Sequence, residues 1–205
     1  MDFEYRKPSE AALALMREGH NHPEMVATLA EIVSEGVPAA PENHDGETED
    51  VFGLEVTHRF VEAPGESETL RWHFAEAGEG PVLLLMHGIP QSWCMWRLIL
   101  PEMAKHFRCI AIDLKGYGQS DSRRGDYRHE GAADQVVALL DALGIERFNL
   151  FSHDRGTVQA DFIAAKQVDR VIRYVRGSQH LIHFHPDLAP QELLFSDLET
   201  RGILQ

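Results

Sequence analysis

Apolar and polar residues alternate through LEVTHRFVEA (54–63) and TLRWHFAEA (69–77). A period of two predicts two strands, each with one buried face. Between them PGESE (64–68) gathers Pro, Gly and polar residues, so the pair reads as a hairpin. VLLLM (82–86) has no alternation and predicts a strand buried on both faces. A helical stretch at 93–105 comes next, then the strand RCIAID (108–113), a helix near 130–143, the strand RFNLF (147–151), a helix over 155–166 and the strand RVIRYV (170–175). Strand and helix in repeated alternation imply right-handed crossovers and an α/β fold. Its sheet is expected to be mostly parallel with helices on both faces, and ligands to bind at the carboxyl ends of the strands.

Before residue 51 the pattern is helical. Ser9 is placed to cap one helix and Pro23 to open a second. In the second, Met25, Val26, Leu29, Ile32 and Val33 recur at helical spacing, with Glu24, Glu31 and Glu35 largely off that face. Such a stripe is expected to pack on its own protein. VPAAPENHDGETED (37–50) then reads as a linker. The organisation is thus a short helical, acidic N-terminal extension with its linker (1–50), an α/β core (51–178) and a C-terminal segment (179–205).

Composition narrows the partners. The 205 residues are 43% hydrophobic and support a sizeable core, while 19 Lys and Arg against 33 Asp and Glu give a net charge of −14. That charge repels phosphate backbones and anionic lipid, so neither nucleic acid nor membrane is expected as a partner. Much of it sits in the first 50 residues, which hold 12 acidic and 3 basic side chains. With no apolar run of membrane-spanning length and no signal-like N-terminus, a cytoplasmic protein is expected. Cys94 and Cys109 fit neither a disulfide framework nor a zinc site and read as reduced, buried small hydrophobes.

Three loops come directly after strands, at what should be one edge of the sheet. In HGIPQSW (87–93), Gly88 and Pro90 bend the chain and can leave the Ile89 amide pointing into a cleft as an anion donor. DLKGYGQSD (113–121) is explained by turn formation at Gly116 and Gly118 and carries no assigned chemistry. NLFSHDRGTVQ (149–159) has the spacing of a strand-to-helix nucleophile elbow, with Asp154 between the small residues Ser152 and Gly156. Centring the elbow on Ser152 would put Leu150 and Asp154 at the small positions, a poor fit. The residues leave two readings of Asp154 open, a nucleophile or a helix cap.

Together these loops resemble the α/β-hydrolase family, and within it the aspartate-nucleophile branch that contains epoxide hydrolases and haloalkane or haloacetate dehalogenases. HGIPQSW looks like the HGxP oxyanion loop, DLKGYGQSD like the DxxGxGxS loop and SHDRG like the GHDxG elbow; the resemblance covers residues 51 to about 178. It implies an α/β-hydrolase fold, Asp154 as nucleophile, and the backbone amides of Ile89 and Arg155 as oxyanion hole. His87, Gly88, Pro90, His153 and Gly156 would support these loops, and Trp93 is a candidate to line the substrate site. Neither cofactor nor metal is implied, and the partner is a small-molecule substrate.

A carboxylate is already an anion at neutral pH, and a helix N-terminus favours that form, so it can displace a leaving group at saturated carbon. The product is a covalent alkyl-enzyme ester, which water activated by a histidine must then hydrolyse. Haloalkane dehalogenases carry Trp after the nucleophile, as many epoxide hydrolases also do, and haloacetate dehalogenases carry Arg there with a second Arg three residues on. This chain has Arg155 and Val158. Epoxide hydrolysis is therefore the favoured activity, with haloalkane or haloacetate dehalogenation as the alternative.

The resemblance also implies parts not found here. A complete member continues with a helical cap, further strands, an acid and a histidine. Residues 179–205 look like the start of the cap, the C-terminal strands are absent, and no general base or acid is identified; RGSQH (176–180) has no carboxylate. His180, His183 and His185 match no zinc spacing and read as ordinary loop histidines. Two classes stay open: a hydrolase whose remaining residues lie on a longer chain, or an inactive or ligand-binding homologue. Taken as a whole protein, the chain would expose the strand at 170–175 as a sheet edge, and a homo-oligomer would be expected.

Overall fold

The computed structural model describes residues 42–66, 68–122 and 126–178. The two N-terminal helices, the segment 179–205 and its histidines lie outside the described residues. The chain divides into two units, Met1–Glu42 and Asn43–Gln205, and the elements of the α/β core belong to the second.

Among the described residues one sheet of seven strands runs in the order β1-β2-β3-β5-β4-β6-β7. These are β1 Thr48–Val51, β2 Leu54–Pro64, β3 Thr69–Ala77, β4 Val82–Met86, β5 Arg108–Ile112, β6 Phe148–His153 and β7 Val171–Gly177. Strands β4, β5, β6 and β7 are parallel, and β1, β2 and β3 continue the sheet antiparallel beside β5. The parallel half is the strand–helix alternation expected from the sequence. No described strand lies beyond β7, where Val175 is 53% exposed.

The run VLLLM packs both ways, as its lack of alternation predicts. Leu84 and Met86 join Ile110, Ile112, Phe148 and Leu150 under two helices, α2 (His129–Ala142) and α3 (Arg155–Lys166), which contribute Val136, Leu139, Leu140, Ala160 and Ile163. Leu83 and Leu85 face the other way, with Cys109 and Ala111, against Trp93, Trp96 and Leu100.

Four local expectations are corrected. The acidic stretch read as linker already contains β1: Phe52 and Gly53 take φ of 54° and 83°, a tight turn that folds Thr48–Val51 onto β2 although only Val51 is buried. Strand β3 is not half buried, because it lies inside the sheet between β2 and β5 and Trp72, His73, Phe74 and Ala75 are all enclosed. The helical stretch 93–105 is a 3-10 turn, Trp93–Trp96, and a short helix α1, Leu100–Met103, with Pro101 in its first turn. Pro101 has no N–H to bond back into the preceding turn, so no continuous helix runs through it. Cys109 is buried and its thiol is pushed up to about 12 by burial, whereas Cys94 is exposed between the inward-facing Trp93 and Trp96.

Candidate active site

Strand β6 ends at His153 and α3 begins at Arg155, so one residue turns the chain. Asp154 does so at φ 51° and ψ −129°, a left-handed backbone that costs a non-glycine residue of order 1–3 kcal/mol and persists where surroundings enforce it. Here they do. The Asp154 amide donates to Gly177 O at 3.0 Å, and the Thr157 amide donates to Asp154 O at 2.9 Å. Gly156 lets α3 approach the end of β4: a Cβ there would lie 2.2 Å from His87 O and 2.9 Å from Met86 O. Ser152, on the other side of the elbow, is buried with Oγ bonded to Thr157 Oγ1 at 3.0 Å and to Tyr174 OH at 3.1 Å.

Asp154 occupies the position of a helix cap, yet its side chain makes no capping hydrogen bond. Its Oδ1 accepts the Ile89 amide instead, at 3.0 Å. The carboxylate thus faces the loop after β4 while the strained backbone starts the helix. One oxygen is held by a backbone donor.

The loop 87–93 that carries Ile89 is fastened at both ends to the segment after β5. His87 Nδ1 donates to Gly88 O at 2.7 Å and Nε2 accepts the Leu114 amide at 2.9 Å, which fixes the neutral tautomer. His87 is enclosed, and burial pushes its imidazole below the ordinary value, against a smaller opposing effect of the Gly88 carbonyl. At the far end the Trp93 amide donates to Asp113 Oδ1 at 2.7 Å. Gly88 is in contact with Asp154 itself, since a Cβ there would lie 2.3 Å from Asp154 Cβ.

Asp113 is the residue that reading the loops one at a time does not reveal. Enclosed in the protein, it accepts Trp93 N on Oδ1, and on Oδ2 both His73 Nδ1 at 2.6 Å and Gln119 N at 2.9 Å. Gly118 is required for this: its φ is 53°, and a Cβ would lie 1.9 Å from Asp113 Oδ2. Ser120 Oγ completes the knot, donating to Asp113 O at 2.7 Å and accepting the His73 amide at 2.9 Å. The DLKGYGQSD loop therefore positions the loop 87–93. The available signal was a pair of histidines on strands of the hairpin: His58 shares the β2 face of Val56 and Phe60, and His73 lies directly opposite Phe60.

Behind the elbow, Arg176 grips Asp161 through Nε–Oδ1 at 2.8 Å and Nη2–Oδ2 at 2.7 Å. Asp161 also accepts Tyr174 OH at 2.9 Å, so the hydroxyl that supports Ser152 is itself anchored. Burial holds the Tyr174 phenol well above its ordinary value.

Arg155, the other expected amide donor, opens α3. His153 is half-buried at the end of β6, and its Nδ1 has no hydrogen-bond partner among the described residues. Pro90 is exposed, joined to Ile89 by a cis peptide. Trp93 is 8% exposed with its ring edge-on to His58 at 5.4 Å, so it offers a substrate little surface. Val158 is buried in α3, so the position of a second arginine faces the core. Among the described residues no cluster of three His, Cys, Asp or Glu is arranged to hold a metal, and no helix is long and apolar enough to cross a membrane.

Residues 81–199 match the model of the alpha/beta hydrolase fold family. The chain is 35% identical to the bifunctional epoxide hydrolase 2 of Rattus norvegicus over 146 residues, which cover 69% of this chain and 26% of that protein. It is 38% identical to a haloalkane dehalogenase of Mesorhizobium japonicum over 136 residues, 63% of this chain and 44% of that one. An epoxide hydrolase structure from Vigna radiata superposes with a TM-score of 0.60 at 30% identity, covering 69% of this chain and 46% of that chain. The chain thus spans less than half the length of each of these relatives.

Proposed function

The chain belongs to the alpha/beta hydrolase fold family, and from that premise we propose that Asp154 is the nucleophile of a hydrolase that opens epoxides through a covalent ester. The observation that carries this reading is the carboxylate's bond to the Ile89 amide at 3.0 Å in place of any helix-capping bond. A residue serving the helix would turn its oxygens to the helix amides. Asp154 presents Oδ1 to the loop after β4.

In this reading the two oxygens have different tasks. Oδ2 attacks an epoxide carbon, the ring C–O bond breaks with its electron pair passing to oxygen, and a proton from an acid or water converts the alkoxide to an alcohol. Oδ1, already bound to Ile89 N, becomes the ester carbonyl oxygen. When water then adds at Cγ, negative charge develops on Oδ1, where the amides of Ile89 and Arg155 receive it. Each such donor lowers a barrier of this kind by roughly 3–4 kcal/mol. Collapse releases the diol and restores the carboxylate. Among the described residues none is placed as the base for that water: His73 and Asp113 are engaged with each other, and His87 with Leu114.

A small organic molecule is the only partner this chemistry needs, and no cofactor takes part. Carbon–halogen bonds are the second reading, favoured by the 38% identity to a haloalkane dehalogenase. The test is to incubate the protein with a terminal epoxide and with the matching primary haloalkane, following diol, halide and protein mass. Reaction with the epoxide, lost in Asp154→Asn, is expected. Halide release with no reaction of the epoxide would transfer the assignment to dehalogenation, and inertness of Asp154 toward both would overturn it.

A further inference from the structure

The buried histidines of the hairpin take no part in ester chemistry, yet they join the sheet edge to the oxyanion loop. His58 Nδ1 and His73 Nε2 lie 2.9 Å apart, and the rings are stacked with centroids at 5.2 Å. One end of the row is Asp113, bonded to His73 Nδ1 at 2.6 Å; the other is Glu49 of β1, whose Oε1 lies 3.7 Å from His58 Nε2. Both imidazoles are enclosed, while the Glu49 side chain is 45% exposed.

Counting protons along this row decides its state. Asp113 Oδ2 also accepts the Gln119 amide, so it is an acceptor and His73 Nδ1 carries a proton. Suppose both rings are neutral. His73 Nε2 is then a bare lone pair, His58 Nδ1 must donate to it, and His58 Nε2 is left bare, buried, without a hydrogen-bond partner and facing a carboxylate. Two acceptors confront each other. With one further proton the conflict disappears: His73 Nε2–H donates to His58 Nδ1, and His58 Nε2–H points at Glu49. All four ring nitrogens then have complementary neighbours, and the positive ring lies against the Asp113 carboxylate.

We propose that His58 and His73 are positioning residues for the oxyanion loop, and that they act by holding one extra proton between them. The proton belongs to the pair. It fixes Asp113 Oδ2 with a charge-assisted bond and leaves Oδ1 aimed at the Trp93 amide, the far anchor of the loop that carries Ile89. The groups facing the rings are Glu49 and Glu47 from the β1 side, Asp113 after β5, the Trp93 ring against His58, and Phe60 against His73 with Arg71 over the Phe60 ring. Burial first, and then the neighbouring His73, push the His58 imidazole below its ordinary value, which suits it to be the neutral acceptor within the pair.

The inference rests on the Asp154 reading only in treating 87–93 as an oxyanion loop, and its test does not use activity. In the full chain, the ring nitrogen signals of His58 and His73 and the Trp93 backbone amide are followed by NMR against pH. The two rings should release one proton as a unit, and the Trp93 amide should shift along the same curve. Glu49→Gln offers His58 Nε2 a donor as well as an acceptor, so it should move that curve to lower pH with the fold intact. Two neutral rings throughout the folded range, a Trp93 amide that ignores the titration, or a curve unmoved by Glu49→Gln would each overturn the proposal. A failure of ester formation on Asp154 would be seen separately.

Discussion

Replacing Gly88 by alanine tests the contact between the proposed oxyanion loop and Asp154 by steric means alone, because Gly88 does not have the left-handed backbone that penalises a side chain. The new methyl would lie 2.3 Å from Asp154 Cβ, 2.6 Å from Oδ1 and 2.8 Å from Cγ. Carbon atoms rest at about 3.5–4.0 Å, so loop and elbow must part by more than about 1 Å. Asp154 cannot easily yield, since its amide and carbonyl are both bonded and Gly156 presses α3 against His87 O. The loop must move, and the 3.0 Å bond from Ile89 N to Oδ1 is the first interaction lost. A displacement of about 1 Å at a reacting centre costs on the order of 100-fold in rate. Overpacking costs folding about 1–3 kcal/mol. The assay is the rate at which the ester, once formed on Asp154, is lost, followed by mass spectrometry beside a denaturant titration. Gly88→Ala is expected to stay folded and to lose the ester about 100-fold more slowly, by the same estimate. A folded variant that loses the ester at the wild-type rate would refute the assignment of this loop.

Other substitutions separate support from chemistry. Asp113→Asn leaves one acceptor oxygen where three donors converge, and should cost about 3 kcal/mol or more in denaturant unfolding, the scale for breaking a buried pair. Ser152→Ala removes a hydroxyl bonded to Thr157 and Tyr174, and should cost about 1 kcal/mol of stability while ester formation continues. Acid should loosen the loop through His87: because its folded value is depressed, stability falls as pH drops below the ordinary histidine value and levels off below the depressed one. Once protonated, Nε2 can no longer accept Leu114 N, so His87→Gln should weaken that acid dependence when unfolding midpoints are compared across pH.

What could be read from the sequence was local, and what could not was convergent. The run Val82–Met86 has no polar residue and must be covered on both sides, so its central place in the sheet was visible. The elbow was visible because a close approach of backbone to backbone demands a glycine at a fixed distance from Asp154, and Gly156 provides it. Strand β1 was hidden because three of its four residues are exposed and polar, and its only buried side chain is Val51. The role of Asp113 was hidden for a different reason. Turn formation alone accounts for Gly116, Gly118 and Ser120, while the partners that give the loop its task come from 20 and 40 residues away, at Trp93 and His73. His58 stood at a position where the alternation called for an apolar residue, a discrepancy in the pattern that pointed inward to this network, whereas His73 shared the face of Thr69 and Arg71 and matched the expected polar position.

The proposed chemistry stands or falls on whether the Asp154 carboxylate forms a bond to carbon. The direct measurement is to expose the full chain to an excess of a small terminal epoxide, quench in acid, digest and sequence the peptides by tandem mass spectrometry. The expected result is a mass increase equal to that of the epoxide on the peptide containing Asp154, located on that side chain and missing in Asp154→Asn. An adduct located on another residue, or formed equally in Asp154→Asn, would contradict it.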